Sequence, residues 1–581
     1  MTTIADIEAL LTAPGAQFET VREDVAGHSV KVYKNRFRDL RTVASFGASH
    51  AEKDFIVYGD RRITFGEFTR LSNSVSSRLA ADAGVQHGDR IAVLSQNNPE
   101  WCLSFWGTVN LGAVLVGLNG WWTNDEILYG LDDSGAKVLV ADAKRFERIA
   151  ADVDNIDTLE FVYLIDADPS DFPRPDGTPS PKLRSFSTLC TTPSDLLPRT
   201  PLSEDDPAVI FYTSGTTGRP KGAISTHRSM IANLQNTVFL LTANGMLLAA
   251  LEREAGGTPK PESSGNQPVA LFTSPLFHVS GCHSTLVVGY FGGLKLVMIE
   301  GRFDPEVALQ LIEGERVTTW STVPTMIWRT CEHPRRHDFD TSTVTSVAFG
   351  GSPSADELQR RIRETFPNVR GTSNAYGLTE TSSVATVLSG PDSLTKADSV
   401  GRPVPTVELA IDGAMDGDHH FTGEVLIRGP ILMAGYWNKP EATAQALRHG
   451  WLHTGDVGHL DEDGYLFITD RVKDMIIRGG ENIYCVEIEN RLLEHPSVAD
   501  AAVVGVKDEA LGEEVKAVVE LAPGATLDAA ALQRWVGETL APFKVPSIVV
   551  EWDGKLPRNA SGKLLKNVLR GEGDVSFQET M

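Results

Sequence analysis

The chain has 581 residues, 41% of them hydrophobic and 22% charged, with a formal net charge of −24. That length exceeds what one hydrophobic core serves, and so acidic a surface argues against nucleic acid as a partner and leaves anionic ligands to be gathered by local basic groups. There is no uninterrupted apolar run of about 18 residues, no signal-peptide pattern at the Met-Thr-Thr-Ile-Ala-Asp start, and no metal or redox spacing among Cys102, Cys190, Cys282, Cys331 and Cys485, so a cytoplasmic protein with free thiols and no membrane span is expected, peripheral membrane contact staying open.

Taken in order, residues 5–11 read as a short helix, and 56–58 and 62–65 flank Gly59-Asp60, a hairpin signal. Thr64 can cap a helix over 65–81 that sets Phe68, Leu71, Val75 and Leu79 on one face. A strand at 90–94, a helix at 99–111 and strands at 113–118, 138–141 and 162–165 follow. Strand alternating with helix predicts a parallel α/β layer. Residues 166–201, rich in Pro, Ser, Thr and Asp, read as a surface connection.

An apolar run over 208–212 then enters Thr213-Ser214-Gly215-Thr216-Thr217-Gly218-Arg219-Pro220-Lys221-Gly222, and Ala223-Ile224 leaves it. This reads as strand, glycine-rich loop, strand. Glycines let backbone N–H groups crowd an anion, the hydroxyls add donors and Lys221 adds charge. It is not the P-loop that opens a helix, because Pro220 precedes the lysine and Gly222 follows it. Residues 228–254 predict a helix, and 256–268, with three glycines and three prolines, a loop insertion. A strand at 270–272 leads into Pro275-Leu276-Phe277-His278-Val279-Ser280-Gly281. Strands are expected at 318–325 and 347–349, the second running into Gly350-Gly351-Ser352-Pro353 and a helix over 355–366.

Asn374-Ala375-Tyr376-Gly377-Leu378-Thr379-Glu380 offers an aromatic ring to stack on a base, a hydroxyl and a carboxylate. Strands at 407–411 and 423–430 suggest a small antiparallel β region, followed by Tyr436-Trp437-Asn438-Lys439-Pro440-Glu441. In Trp451-Leu452-His453-Thr454-Gly455-Asp456 the carboxylate can accept from both hydroxyls of a ribose. A strand at 464–468 ends in Asp470-Arg471-Val472-Lys473-Asp474, and Arg478-Gly479-Gly480-Glu481 follows. The remaining residues have the size of a small separate domain. They read as helices at 486–493 and 528–540, strands at 498–506 and 514–521, and a loop carrying Pro557-Arg558-Asn559-Ala560-Ser561-Gly562-Lys563.

Each motif alone admits an ordinary structural reading: a surface turn, a core histidine, a helix start, a hairpin acid. As a set, in this order along most of the chain, they resemble the adenylate-forming superfamily of acyl-CoA synthetases, aryl-CoA ligases, luciferases and peptide-synthetase adenylation domains, and most of all a bacterial fatty-acyl-CoA synthetase. The resemblance implies an α/β fold: a large N-terminal domain of two α/β layers and a small β barrel over 1–470, and a small mobile α+β domain over 471–581. It implies ATP, Mg²⁺ and coenzyme A. Thr213, Ser214, Gly215, Thr216, Thr217, Gly218 and Lys221 would cradle the β- and γ-phosphates, while Gly350, Gly351, Ser352, Asn374, Tyr376 and Gly377 would pass along the adenine. Asp456 and Arg471 would hold the ribose, Thr379 the α-phosphate, Glu380 the metal. His278 and Gly281 would edge the acyl pocket, and Lys563 would bridge carboxylate and α-phosphate. Lys473 would be the hinge that brings Gly479 and Gly480 to the pantetheine tunnel.

Within that superfamily an amino-acid-activating domain would need an acid near His278, and 272–281 contains none. A luciferase-like oxygenase and a non-catalytic nucleotide-binding protein remain alternatives. The absence of Lys and Arg from 272–281 favours an apolar monocarboxylic acid, fatty first and aromatic second.

Overall fold

The computed structural model describes residues 3–571, apart from 197, 199, 214–218, 255, 257–265, 351–355, 370–371, 391, 397, 415–420, 472–473, 479–480, 509–510 and 559–563. The near-continuous apolar runs become strands of a seven-stranded sheet, in the order Lys221–Thr226, Pro207–Thr213, Val114–Gly117, Arg90–Leu94, Val138–Asp142, Phe161–Ile165, Leu183–Ser185. All its pairings are parallel except the first, an antiparallel hairpin with Thr213 opposite Lys221. Parallel strands need both faces covered, and the strands at the sheet centre are buried throughout or nearly so. A nine-stranded sheet lies beside it, ordered Arg402–Pro403, Ser383–Leu388, Thr372–Leu378, Ser346–Gly350, Thr319–Thr322, Val269–Phe272, Lys295–Met298, Asp54–Tyr58, Arg61–Thr64.

One core joins the two sheets. The helix Pro99–Leu111 is buried along its whole length. Its limits are local: the Asn98 side chain accepts from Trp101 N at 2.8 Å, Pro99 occupies the first turn, and Gly112 stops it at φ +83°. It contributes Trp101, Phe105 and Trp106 to a cluster with Phe55, Phe65, Phe68 and Tyr290, where each large apolar side chain contributes roughly 1.5–3 kcal/mol by leaving water.

Two expectations need adjustment. The polar connection at 166–201 is not all surface: Leu183 pairs as an edge strand, and Phe186 and Leu189 are buried. The strand expected to reach 325 ends at Thr322, because Pro324 opens the helix Pro324–Cys331. The helix His227–Glu254 is long and apolar enough to cross a membrane by length and composition. Its first half is buried from His227 to Leu234, and Phe239, Ala243 and Leu247 continue into a cluster with Ile7 and Phe18, so the protein itself occupies that face. Most of the supposed 256–268 insertion lies outside the described residues.

An antiparallel sheet, Glu408–Ile411, Gly423–Arg428, Trp451–Leu460 and Leu447–Arg448 with Leu466–Arg471 paired to Trp451–Leu460, stands where the small β barrel was expected. The small C-terminal domain has its own antiparallel pair Val498–Asp508 and Gly512–Leu521, flanked by the helices Cys485–Leu493 and Ala529–Gly537. A largely sheltered ion pair, Lys566 Nζ to Glu489 Oε1 at 2.8 Å, anchors its last described helix, Lys566–Arg570. Among the described residues the five cysteines are free thiols.

Gly401 shows how tightly one sheet edge is packed. It sits at φ +91°, and a Cβ there would lie 1.9 Å from the Val387 carbonyl carbon. Gly88 has a similar φ of +81° with nothing within 4 Å. Gly88→Ala should cost about 1–3 kcal/mol, the strain of the backbone conformation alone, and Gly401→Ala distinctly more. Urea denaturation midpoints of the two variants check this; equal losses would mean that the edge gives way freely.

Candidate active site

The hairpin edge of the seven-stranded sheet brings the ends of the glycine-rich loop together. Tyr212 and Thr213 finish one strand, Lys221 begins the next, and the Thr213 hydroxyl donates to the Lys221 carbonyl at 3.4 Å. Ser214, Gly215, Thr216, Thr217 and Gly218 lie outside the described residues. A stretch more than two hundred residues later lies along the outer strand: Ala434 N donates to Ile224 O at 2.9 Å, Ile224 N to Gly435 O at 3.0 Å and Trp437 N to Gly222 O at 2.7 Å. This places the Tyr436 ring 5.2 Å from Lys221 Nζ. The Tyr436 hydroxyl in turn donates to Glu380 Oε1 at 2.7 Å. Burial, and then the Glu380 charge, push the Tyr436 pKa well above its usual value, so the phenol keeps its proton and remains a donor.

Thr379 and Glu380 open a single 3-10 turn after the strand Thr372–Leu378. The turn is fixed on several sides. Leu378 N donates to Thr381 Oγ1 at 2.8 Å, Met433 N donates to the Glu380 carbonyl at 2.8 Å, and the Ser382 hydroxyl reaches Ser225 and Ser229 at 3.0 and 2.8 Å. Ser382 and Ser383 have φ of +48° and +120°, a backbone strain that these bonds sustain. Gly377 is glycine for a steric reason: a Cβ would sit 1.7 Å from the Ser383 carbonyl oxygen.

Tyr376 and Asp456 meet directly, the phenol donating to Asp456 Oδ2 at 2.7 Å. Asp456 is buried in mid-strand rather than in a hairpin turn, and its backbone stands opposite Arg471 in the register. Gly350 pairs with Ala375, which brings the end of its strand beside the Tyr376 segment, and Asn374 is buried there too. Gly351, Ser352, Lys473, Gly479, Gly480 and Lys563 fall outside the described residues, as does the side chain of Arg471.

The His278 block is held from the other sheet. Asn97 donates to Ser274 O at 2.8 Å and accepts from Leu276 N at 2.9 Å. Gly281 has no room for a side chain because its Cβ would lie 2.1 Å from the Pro275 carbonyl oxygen, so its small size answers to backbone contact. Burial lowers the His278 pKa to about 4, leaving it neutral. His283, on a π-helical turn Cys282–Val287, donates from Nδ1 to Ser382 O at 3.0 Å and stacks on Phe211 at 5.4 Å.

Two family models match the chain, the AMP-binding enzyme over residues 43–437 and the AMP-binding enzyme C-terminal domain over 487–563. The chain belongs to the AMP-binding enzyme family. It is 36% identical over 520 residues to a feruloyl-CoA synthase of an Amycolatopsis species, covering 88% of this chain and 94% of the relative. It is 33% identical to a long-chain-fatty-acid–CoA ligase of Mycobacterium tuberculosis, covering 88% and 93%. Among solved structures, o-succinylbenzoate CoA synthetase from Bacillus subtilis, in complex with an acyl-adenylate intermediate, superposes with a TM-score of 0.72 at 29% identity, covering 92% of this chain and 98% of that one. Within the AMP-binding family the chain is an AMP-forming acid–thiol ligase of the acyl/aryl-CoA class. The family motifs locate Lys221, Thr379, Glu380 and Asp456, but not the roles of Tyr436 as the link between Lys221 and Glu380 or of His283 behind the strained turn. Nothing local in the sequence marks those contacts.

His227, His278 and His283 all have pKa values lowered to about 4, chiefly by burial. The folded ligase therefore resists protonation while the unfolded chain takes up protons below about pH 6.5, so stability falls as pH drops from there toward 4. His283→Gln removes one of the three groups. Its denaturation midpoint should fall less steeply than the parent's between pH 7 and 5; parallel slopes would show that His283 is not held neutral.

Proposed function

We propose that the chain activates an apolar monocarboxylic acid, fatty acids ahead of aromatic ones, as an acyl-adenylate and transfers it to coenzyme A. The observation that carries the adenylation site is the convergence of Lys221, Tyr436 and Glu380 beside the two ends of the glycine-rich loop. In the first step a carboxylate oxygen attacks the α-phosphorus of ATP, the bond to the β-phosphate oxygen breaks and pyrophosphate leaves. In the second the thiol of coenzyme A attacks the acyl carbon, AMP leaves and the thiol proton passes to solvent.

Such phosphoryl chemistry needs positioning and charge neutralisation more than covalent help. In this reading the loop 213–218 and Lys221 hold the β- and γ-phosphates, Thr379 donates to the α-phosphate, and Asp456 with Arg471 orients the ribose beside Tyr376. Gly350, Gly351, Ser352, Asn374 and Gly377 let backbone approach the adenine. The half-buried Glu380 carboxylate, already oriented by the Tyr436 hydroxyl, is a hard oxygen donor of the kind Mg²⁺ takes. Bound there, Mg²⁺ would neutralise charge on the phosphate oxygens. Lys563 bridges the substrate carboxylate and the α-phosphate. The domains divide at 470/471, and Lys473 is the hinge that later presents Gly479 and Gly480 to the pantetheine arm.

The acyl class follows from charge. Residues 272–281 carry no acid, lysine or arginine, and His278 is held neutral by burial. An amine or a second carboxylate would be buried without a partner, which is costly, whereas each buried methylene contributes about 0.8 kcal/mol. The feruloyl-CoA synthase relative favours a second reading, an aryl acid in the same pocket.

Two experiments test this. Lys563→Ala should lower acyl-adenylate formation by about 10²–10³, as removal of one charge-stabilising contact does, while still converting synthetic acyl-adenylate and coenzyme A to thioester; equal damage to both half-reactions would refute the bridging role. In a panel of acids followed by pyrophosphate and AMP release, kcat/KM should rise with chain length until the pocket is full and fall sharply for amino acids and dicarboxylates. If ferulate or indoleacetate outranked every fatty acid the aryl reading would stand, and a dicarboxylate such as o-succinylbenzoate as best substrate would overturn both.

A further inference from the structure

Asp133 lies one residue from the end of the helix Asn124–Ser134, and its side chain is only 6% exposed. A buried carboxylate is destabilising unless its oxygens are satisfied, and the donors around this one connect it to the start of the glycine-rich loop directly and to its end through Tyr129. Oδ2 accepts from the Tyr212 hydroxyl at 2.9 Å. Oδ1 accepts from Lys439 Nζ at 2.5 Å. The Tyr129 hydroxyl lies 3.3 Å from Oδ1 and 3.1 Å from the Pro220 carbonyl, dividing its proton between them. The Arg219 guanidinium covers the Tyr129 ring at 4.9 Å.

These contacts have a common geometry. Tyr212 is the last residue before Thr213, and Pro220 the last before Lys221. Lys439 ends the stretch whose Tyr436 contacts Lys221 and orients Glu380. We propose that Asp133 is a positioning residue for adenylation: one buried carboxylate holds the start of the phosphate loop through Tyr212 and the segment that orients Glu380 through Lys439, with Tyr129 linking it to the loop's other end at Pro220. It touches no substrate. The charge-assisted bond from Lys439 fixes the third arm more firmly than a neutral acceptor would, and the hydrogen bond Lys439 donates to Asp133 is the leading cause of the raised Lys439 pKa.

The inference rests on the reading of residues 213–221 as the phosphate site. Four variants, Asp133→Ala, Asp133→Asn, Tyr212→Phe and Lys221→Ala, would be assayed by ATP–pyrophosphate exchange and, separately, for thioester formation from synthetic acyl-adenylate and coenzyme A. Asp133→Ala should raise KM for both ATP and pyrophosphate by about tenfold or more, since small displacements of a positioning element cost rate in this range, and leave the thioester step at the parent's rate. Asp133→Asn keeps the shape and one acceptor oxygen and should fall between Ala and the parent. Unchanged KM values, or equal loss in both half-reactions, would overturn the proposal. If Asp133→Ala does not fold, Tyr212→Phe decides, because it removes one hydroxyl and leaves the carboxylate paired with Lys439: a raised KM for pyrophosphate with an intact thioester step supports the proposal, and an unchanged KM overturns it. Lys221→Ala separates the two levels. If it too leaves ATP and pyrophosphate affinity unchanged, the phosphate-site reading itself fails; if it weakens them while the Asp133 and Tyr212 variants do not, only the positioning role fails.

Discussion

A protein with a net charge of −24 that handles a triphosphate must reverse its own field at one place. In the reading proposed above, that place is where Lys221, Tyr436 and Glu380 meet, and their positions are over-determined. Lys221 is the first residue of a strand, set against the Tyr436 ring, and the phenol turns its proton to Glu380. Cation, aromatic face, hydroxyl and carboxylate form one chain of contacts. If these groups take the phosphates as proposed, such fixed donors need no rearrangement when charge develops, the kind of preorganisation from which much catalytic stabilisation arises.

The surrounding fold can be understood as the support for that chain of contacts. The hairpin Pro207–Thr213 and Lys221–Thr226 is the antiparallel exception at the edge of a parallel sheet. An edge strand has an unpaired side, and residues 434–437 use it, donating and accepting across Ile224 and Gly222. The strained Ser382–Ser383 corner is tied to the same edge through Ser225 and to the adjoining helix through Ser229. Three segments far apart in sequence thus share one strand as a common reference.

What the sequence revealed and what it hid divide along the range of the forces involved. Pro99–Leu111 was legible because Asn98, Pro99 and Gly112 set its limits within a few residues. The motif strings stand out because glycine, hydroxyl residues and lysine cluster in them, and the nucleotide roles proposed for them follow from what close backbone approach and phosphate demand. The edge strand Leu183–Ser185 was hidden because polar neighbours mask the few residues, Leu183, Phe186 and Leu189, that seek the core. Asp133 and Lys439 are 306 residues apart, and no local pattern distinguishes that carboxylate from the exposed Asp132 beside it. Helical periodicity likewise did not foretell the π-helical turn under His283.

The close contact at Gly281, which the proposed function sets at the edge of the acyl pocket, bears on how such an enzyme can change its diet. Small residues near an acyl channel invite the idea that acid selectivity drifts by filling or emptying them. Here a methyl group at Gly281 would meet a backbone carbonyl oxygen, Pro275 O at 2.1 Å. That position is closed to mutation by the scaffold. Ser280 is exposed and Val279 half-buried, so new selectivity in this lineage, natural or engineered, has to be sought in side chains that can change without moving the main chain.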